Sequence, residues 1–500
     1  MTPCLRTMRI RFPPPALLLA GFLLLPPAAP GARAPDPLEG RWIGTVSSPQ
    51  GTTAEIGFDF FRDAAGDLTF RLHFPEMATY AAALGAAVTR DASGDYATPA
   101  LALRWRFDGE RLSGTFTEAG LPLALHRGDR FAGPPPMASH PPAPPPAWRY
   151  PLGTGTWAPP AAADGVIYVG GGDGRFHAVR AADGTPLWVW PGTVPIDGRA
   201  TLDPDGVYFL DTHFNLVALD RATGALRWRL PLHNEFLAGR SAPDNPTFNH
   251  RAASPLLHDD ILYAGSSDGG LYAVNPASGV VLWRHDARAP VFSGIGLHGA
   301  DTLLFGTMDG SVVMLDRNSR RETLRVKTGG PVVTTPVVAS GLLIAGSRDC
   351  HLHAFRLPGG APVWKFSYWF SWIESTPAVH DGVLYLGGSD YARVSAIEAA
   401  TGRARWGTVV HGLSWGTPLV TAHHVFAGTA NQNLPGTLIA HRAGLMKLDR
   451  ATGAVLWRLA LPDAPAAGFA GYAGGPVLPA TRWSWPDSTA FSPRTPKSEL

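Results

Sequence analysis

Self-similarity constrains the fold of this chain more than any other property. DGVIYVGGGDGRFHAVRAADGTPLW (164–188) aligns with DGVYFLDTHFNLVALDRATGALRW (205–228) and with DDILYAGSSDGGLYAVNPASGVVLW (259–283). SGLLIAGSRDCHLHAFRLPGGAPVW (340–364) and DGVLYLGGSDYARVSAIEAATGRARW (381–406) repeat the pattern. DTLLFGTMDGSVVMLDRNSRRETLR (301–325) is a weaker copy, with Arg325 in the place of the terminal tryptophan. A seventh copy ends at LDRATGAVLW (448–457), after an insertion around Asn431 to His441. A period of roughly forty residues belongs to propellers and solenoids.

The chemistry within one unit selects the propeller. An Asp-Gly or similar turn opens a short apolar run such as Val166-Ile167-Tyr168-Val169. A Gly/Ser/Asp turn follows, then an alternating run such as Leu271-Tyr272-Ala273-Val274. A Thr-Gly or Ser-Gly turn leads into a last strand ending in Trp. Most units are preceded by a small residue and a proline, as in Ser254-Pro255, Thr335-Pro336, Thr376-Pro377 and Thr417-Pro418. Four short strands joined by tight turns make a propeller blade, and the apolar residues show no helical spacing.

These residues resemble the PQQ-like repeat, the blade shared by quinoprotein dehydrogenases and by BamB-type scaffolds of the outer-membrane assembly machinery. The YVG…DG…ALD…TG…LW signature runs from roughly 150 to 480. The resemblance implies an all-β chain: a seven- or eight-bladed β-propeller of four-stranded PQQ-like blades, preceded by a small antiparallel β-barrel-like domain. It leaves function open, because the same blades serve enzymes and binding proteins.

Composition agrees with turn-rich β structure: charged residues are 16%, against 57 Gly and 48 Pro. Arg6, Arg9 and Arg11 precede an apolar stretch from Ala16 to Leu25, followed by Ala32-Arg33-Ala34. This is the order of a secretory signal cut after Ala34, predicting a periplasmic or secreted protein. Removing the four arginines of 1–34 from the 42 basic residues leaves 38 against 40 acids. A near-neutral surface predicts no nucleic-acid partner. The apolar run of about ten residues is too short to span a membrane, so no integral span is expected in the mature chain, and a monomer is expected.

Residues 35–131 lie outside the repeat. Gly40-Arg41-Trp42 opens a strand, and further strands are predicted at 56–61, 68–74, 102–107, 112–116 and 121–127. The segment resembles a lipocalin-like module with Trp42 as a structural residue of its floor; only Ala78 to Val88 reads as helical. GPPPMASHPPAPPP then marks a proline-rich linker over 132–147. The propeller is predicted over 148–485 and a tail over 486–500. Trp148-Arg149-Tyr150-Pro151-Leu152 reads as the end of a blade whose opening strand is Gly475-Pro476-Val477-Leu478, closing the ring with both ends of the chain.

The connections between blades gather around one mouth of a propeller's channel. Here they carry Arg199, Arg251, Lys327, Trp369, Trp372, Glu374, His411 and Trp415. Aromatic area with a few orienting charges suits a binding mouth, whereas the repeated Trp188, Trp228, Trp283, Trp364, Trp406 and Trp457 read as packing residues. The quinoprotein resemblance implies PQQ with Ca²⁺, a catalytic Asp, carboxylate and amide ligands and a vicinal Cys pair. Trp372, Glu374 and Asn249 could supply part of this, but the chain has no Cys-Cys. His351 and His353 share a strand face and lack a third ligand in sequence. The reading is therefore an exported, non-catalytic propeller with no cofactor, binding a protein or peptide of the cell envelope. A PQQ-dependent oxidoreductase is the alternative, and a carbohydrate or small-ligand binder the second alternative.

Overall fold

The computed structural model describes residues 35–47, 53–77, 79–91, 93–98, 103–116, 121–129, 140–153, 155–232, 253–369, 371–389, 391–410, 412–433, 442–461 and 468–471. Apart from one 3₁₀ turn at Pro75–Met77, all regular structure among them is β. The chain forms two compact units that divide at Pro135–Pro136.

The first unit is one antiparallel sheet of nine strands: β1 (Gly40–Ser47), β2 (Thr53–Arg62), β3 (Leu68–Phe74), β4 (Thr79–Ala87), β5 (Thr89–Arg90), β6 (Tyr96–Thr98), β7 (Leu103–Phe107), β8 (Arg111–Phe116) and β9 (Leu121–Arg127). β1 pairs with both β2 and β9, so the sheet curls with order β4-β3-β2-β1-β9-β8-β7-β6-β5. Alternation in β7 (Leu103 and Trp105 in, Arg104 and Arg106 out) is that of a sheet with one wet face. The dry face holds Trp42, Phe58, Phe60, Phe70 and Trp105, with Trp105 edge-on to Phe58 at 4.7 Å. Trp42 is 1% exposed. Its Nε1 donates to the Leu38 carbonyl at 2.8 Å, and the Arg127 guanidinium caps the ring at 4.3 Å. The segment read as helical is β4, paired with β3 through two register shifts. Its alanine-rich composition favours helix, but hydrogen bonds offered by the neighbouring strand outweigh that small preference.

The second unit contains seven four-stranded antiparallel sheets in chain order: blades 1 (161–190), 2 (201–231), 3 (256–286), 4 (296–327), 5 (337–367), 6 (378–409) and 7 (419–460). A short strand, Gly468–Gly471, joins blade 7 alongside the extension of its second strand. Middle strands are buried on both faces, as in Gly206–Leu210 and Asn215–Asp220 of blade 2, whereas fourth strands alternate with solvent, as in Leu226–Pro231. The apolar runs of the middle strands follow from that double burial. Each core lies between two blades; Tyr208, Leu216 and Ala218 of blade 2, for example, pack with Leu262 and Ala264 of blade 3.

The repeated tryptophan sits on the glycine of the next blade's Thr-Gly or Ser-Gly turn. Trp188 covers Gly224, Trp228 covers Gly279, Trp364 covers Gly402 and Trp406 covers Gly453, where an added Cβ would lie 2.5–2.8 Å from the indole. These glycines have φ of 72–74°, so glycine is needed both for backbone and for close approach. In the same four pairs Nε1 donates to a backbone carbonyl of the neighbouring blade at 2.8–3.1 Å. Every blade also has a register shift between its third and fourth strands opposite this residue, at Ala218/Leu219 in blade 2, for example. Such a bulge twists the outer strand toward its neighbour.

Blade 4 departs from the pattern in a compensated way. The register partner of the tryptophan is alanine in blades 1, 2, 3, 5 and 6, as in Ala354 opposite Trp364, and Lys447 in blade 7. In blade 4 the pair is Met314 opposite Leu324, and Leu324, not Arg325, lies against Gly360 of blade 5. A smaller outer residue is matched by a larger inner one, which conserves volume. On the other side Trp283 of blade 3 meets Arg320 (φ 60°) instead of glycine, with the guanidinium 5.8 Å from the ring centre. The seam is joined by Glu322, whose carboxylate accepts from Arg325 (2.6 and 2.9 Å), Arg288 (2.7 Å) and His285 (3.0 Å).

The hydrogen bonds from Arg325, partly opposed by burial, lower the Glu322 pKa from 4.5 to about 2. A depressed carboxylate adds stability that is present above its unfolded pKa and is lost as pH falls through its folded one. Between pH 4.5 and about 2 the wild type is therefore expected to lose on the order of 2–3 kcal/mol through this group. Acid titration of Glu322→Gln should show a correspondingly smaller loss in that window, and superimposable curves would remove Glu322 from the account.

Near the start of the propeller, Pro142 bridges in parallel to Arg458 of blade 7's outer strand, with Arg458 N donating to Pro141 O and Ala143 N to Arg458 O. Trp148 then covers Gly184 of blade 1 and donates to the Ala181 carbonyl at 3.0 Å. Part of the proline-rich segment is thus built into the propeller, and Trp148 takes the position of an outer-strand tryptophan before blade 1. Trp157 and Trp415 meet at 4.7 Å between blades 1 and 7. The expected closing strand at 475–478 lies outside the described residues, as does the signal segment of 1–34.

Candidate functional site

The small-residue-and-proline openings of the blades form the wall of the central channel. Ser254 Oγ accepts the amide of Arg199 from the preceding blade's opening at 3.0 Å, and Thr376 Oγ1 accepts that of Thr335 at 3.0 Å. Ser375 Oγ reaches the Gly416 carbonyl at 3.0 Å. The hydroxyls therefore stitch adjacent blades at the axis, while the prolines fix the backbone of the turn into the first strand. They surround a cavity of about 690 Å³ whose wall includes Trp157, Arg199, Phe292, Glu374, His380 and Trp415.

One wall is electrostatically organised. Glu374 and Arg348 are buried, their side chains 1% and 7% exposed. Glu374 Oε1 accepts from Arg348 Nη2 at 2.7 Å and from Nε at 3.0 Å, and the guanidinium lies 4.6 Å over the Trp372 ring. Two buried charges so close neutralise each other and orient the indole. Arg348 escaped sequence reasoning. Its signal was an arginine in the Gly-Ser-Arg-Asp turn, where blades 1 and 3 carry Gly-Gly-Asp and Ser-Ser-Asp.

Of the residues expected at the mouth, Arg199, Glu374 and Trp415 line the cavity, and Trp372 joins them through Arg348. Trp415 is 3% exposed, with Nε1 donating to Ser389 Oγ at 2.8 Å. Trp369 is 6% exposed with φ of 57°, and it is absent from the cavity wall. Neither indole is the exposed platform expected of it: both are buried, and Trp415 packs on Trp157 between blades 7 and 1. Lys327 ends blade 4's outer strand away from the wall and is paired with Asp309 at 2.6 Å. Arg251, His411 and Asn249 lie outside the described residues.

His353 is buried beside Asp349, with Nε2 2.7 Å from Oδ2, and His351 Nδ1 lies 2.7 Å from the Asp349 carbonyl. Burial opposes ionisation of Asp349, but hydrogen bonds from His351 and His353 win and hold its carboxyl well below the usual range.

Stacked four-stranded blades, an axial cavity and an ion-paired wall define a propeller of the PQQ-like class. The match to the family model described as outer membrane protein assembly factor BamB covers residues 145–273, 267–365 and 348–481. The chain belongs to this family. It is 27% identical over 209 residues to the outer membrane protein assembly factor BamB of Xanthomonas campestris pv. campestris, covering 40% of this chain and 48% of that one. Against BamB of Burkholderia pseudomallei the figures are 23% over 271 residues, 44% and 68%. A 1-butanol dehydrogenase (quinone) of Thauera butanivorans is 35% identical over 106 residues, 19% of this chain and 17% of the enzyme. Among solved structures, BamB of Moraxella catarrhalis aligns with a TM-score of 0.48 and 17% identity over 57% of this chain and 83% of its own. The chain thus spans less than half the length of the first curated relatives it matches.

Proposed function

We propose that this protein is an exported, non-catalytic scaffold that binds a protein or peptide partner during outer-membrane assembly in the cell envelope. The observation that carries this reading is the wall of the channel. Its one buried acid among the lining residues, Glu374, is held by Arg348, and a carboxylate engaged by guanidinium is poorly placed to take a proton or to hold a hard cation. The relatives named as assembly factors support the same reading over longer stretches than the quinone-dependent enzyme does. The residues present do not fit PQQ with Ca²⁺: the chain lacks a vicinal Cys pair, and Arg348 stands beside the acid that would serve as ligand.

No helix among the described residues is long and apolar enough to cross a membrane. Exposed Arg199 on the cavity rim is the side chain through which the partner is read. Deleting the gene should lower the yield of folded outer-membrane β-barrel proteins. The wild-type gene should restore it, whereas Arg199→Glu, with an unchanged melting temperature as the check on its fold, should restore less than half. Unchanged barrel yield on deletion would sink the scaffold reading; full rescue by Arg199→Glu would move the contact elsewhere.

A further inference from the structure

We propose that Asp349, His351 and His353 form a binding site for one divalent transition ion of the zinc class, independent of the channel and of the partner. Among the described residues theirs is the one His/Cys/Asp/Glu group of three whose ligand atoms all lie within 4.8 Å of one another. The argument begins with the repeat. Among the described residues, blades 1, 3, 4 and 5 carry an aspartate at the third position of the turn between their second and third strands: Asp173, Asp268, Asp309 and Asp349. Strand geometry sends the residues two and four places later to one face, toward that acid.

In the other blades those positions satisfy the acid without chelation. Asp268 accepts from Gly270 N and Tyr272 Oη. Asp309 takes the hydroxyl of Ser311 and the ammonium of Lys327. Asp173 accepts from Arg175 N and pairs with the same arginine at 3.7 Å. Only blade 5 places imidazoles at both positions. Sequence alone offered two histidines without a third ligand; the turn acid supplies it.

The geometry suits a shared ion. His353 Nε2 lies 2.7 Å and His351 Nδ1 3.7 Å from Asp349 carboxylate oxygens. Donors held by an ion at about 2.0–2.2 Å from each stand roughly 3–3.5 Å apart, so small side-chain adjustments suffice. Two outer hydrogen bonds aim the carboxylate: Gly329 N donates to Oδ2 at 2.7 Å and His351 N to Oδ1 at 3.1 Å. His353 and Asp349 are 2% and 9% exposed, and His351 at 26% leaves a way in and a position for water. Two nitrogens and one oxygen suit Zn²⁺, Ni²⁺ or Cu²⁺ rather than Ca²⁺ or Mg²⁺, which demand oxygen shells. The bound ion would replace the hydrogens now facing Asp349 and pin the turn that also carries Arg348.

The test is zinc binding by the full-length metal-stripped protein, by calorimetry and by metal content after dialysis. One Zn²⁺ per chain is expected with micromolar or tighter affinity. His351→Ala, whose ring hydrogen-bonds the Asp349 carbonyl of its own turn and meets His353 edge-on, should keep the melting temperature of the stripped protein and bind at least tenfold more weakly. Titration with Co²⁺ supplies a second readout that does not need the variant, namely visible d–d bands of a nitrogen–oxygen site that zinc abolishes. Absence of stoichiometric uptake by the wild type, or uptake unchanged in His351→Ala, overturns the proposal.

Discussion

Replacing Arg348 with alanine is expected to destabilise the propeller by about 3–5 kcal/mol. The guanidinium supplies both hydrogen bonds to Glu374 Oε1 and the cation over Trp372. Its removal leaves a carboxylate that is 1% exposed without the charge 2.7 Å away that offsets its desolvation. Two structural consequences follow: Glu374 must take up a proton or water, and Trp372 loses what holds its face. The double variant Arg348→Ala/Glu374→Gln removes the charge as well and should recover a large part of the loss. Denaturant midpoints of wild type, single and double variants measure both effects. A single variant as stable as the wild type would mean that the pair is too well hydrated to matter, and the buried-wall description would fall with it.

The second large effect is expected at the blade seam. Trp364→Ala should cost about 3 kcal/mol, from the half-buried indole area and one hydrogen bond. The ring covers Gly402 and donates to the Ala399 carbonyl at 3.0 Å. Gly402→Ala attacks the same contact from the other side: its φ is 72°, and the new Cβ would stand 2.6 Å from Trp364 Cδ2. In the Trp364→Ala background the clash vanishes and only the backbone strain of about 1 kcal/mol remains. The two substitutions should therefore be strongly non-additive. Strict additivity would show that the indole and the glycine act separately. The same denaturation experiment reads all four proteins.

These expectations trace how far local chemistry carries. Trp188, Trp228, Trp364 and Trp406 were recognisable as packing residues because they recur at the same place in the repeated units. Blade 4 was harder to read. Aligning Arg325 with tryptophan is natural in one dimension, yet the bulge-defined register places Leu324 there and compensates through Met314. The strand at Thr79–Ala87 was hidden by its alanines, since strand formation there depends on a neighbour distant in sequence. The candidate site was legible only in part. Arg199, Glu374 and Trp415 stand on the cavity wall, but Trp369 and Trp415 are buried where exposed rings were expected. Arg348 was missed because it comes from a strand turn and not from a connection between blades.

The amino-acid order by itself determined the blade. Period-two alternation, Asp-Gly and Thr-Gly turns, and the recurring tryptophan specify four strands and the way one unit meets the next, because those forces act over a few residues. The order also set the extra β unit apart from the repeat. Only the tertiary structure decided which charges face each other, as with Arg348 and Glu374, 26 positions apart. It also decided that Pro142 is seated on blade 7 and that a turn aspartate stands within reach of two histidines. Those outcomes depend on how stacked sheets orient side chains across a ring, and desolvation makes such pairings strong only where the packing has already closed.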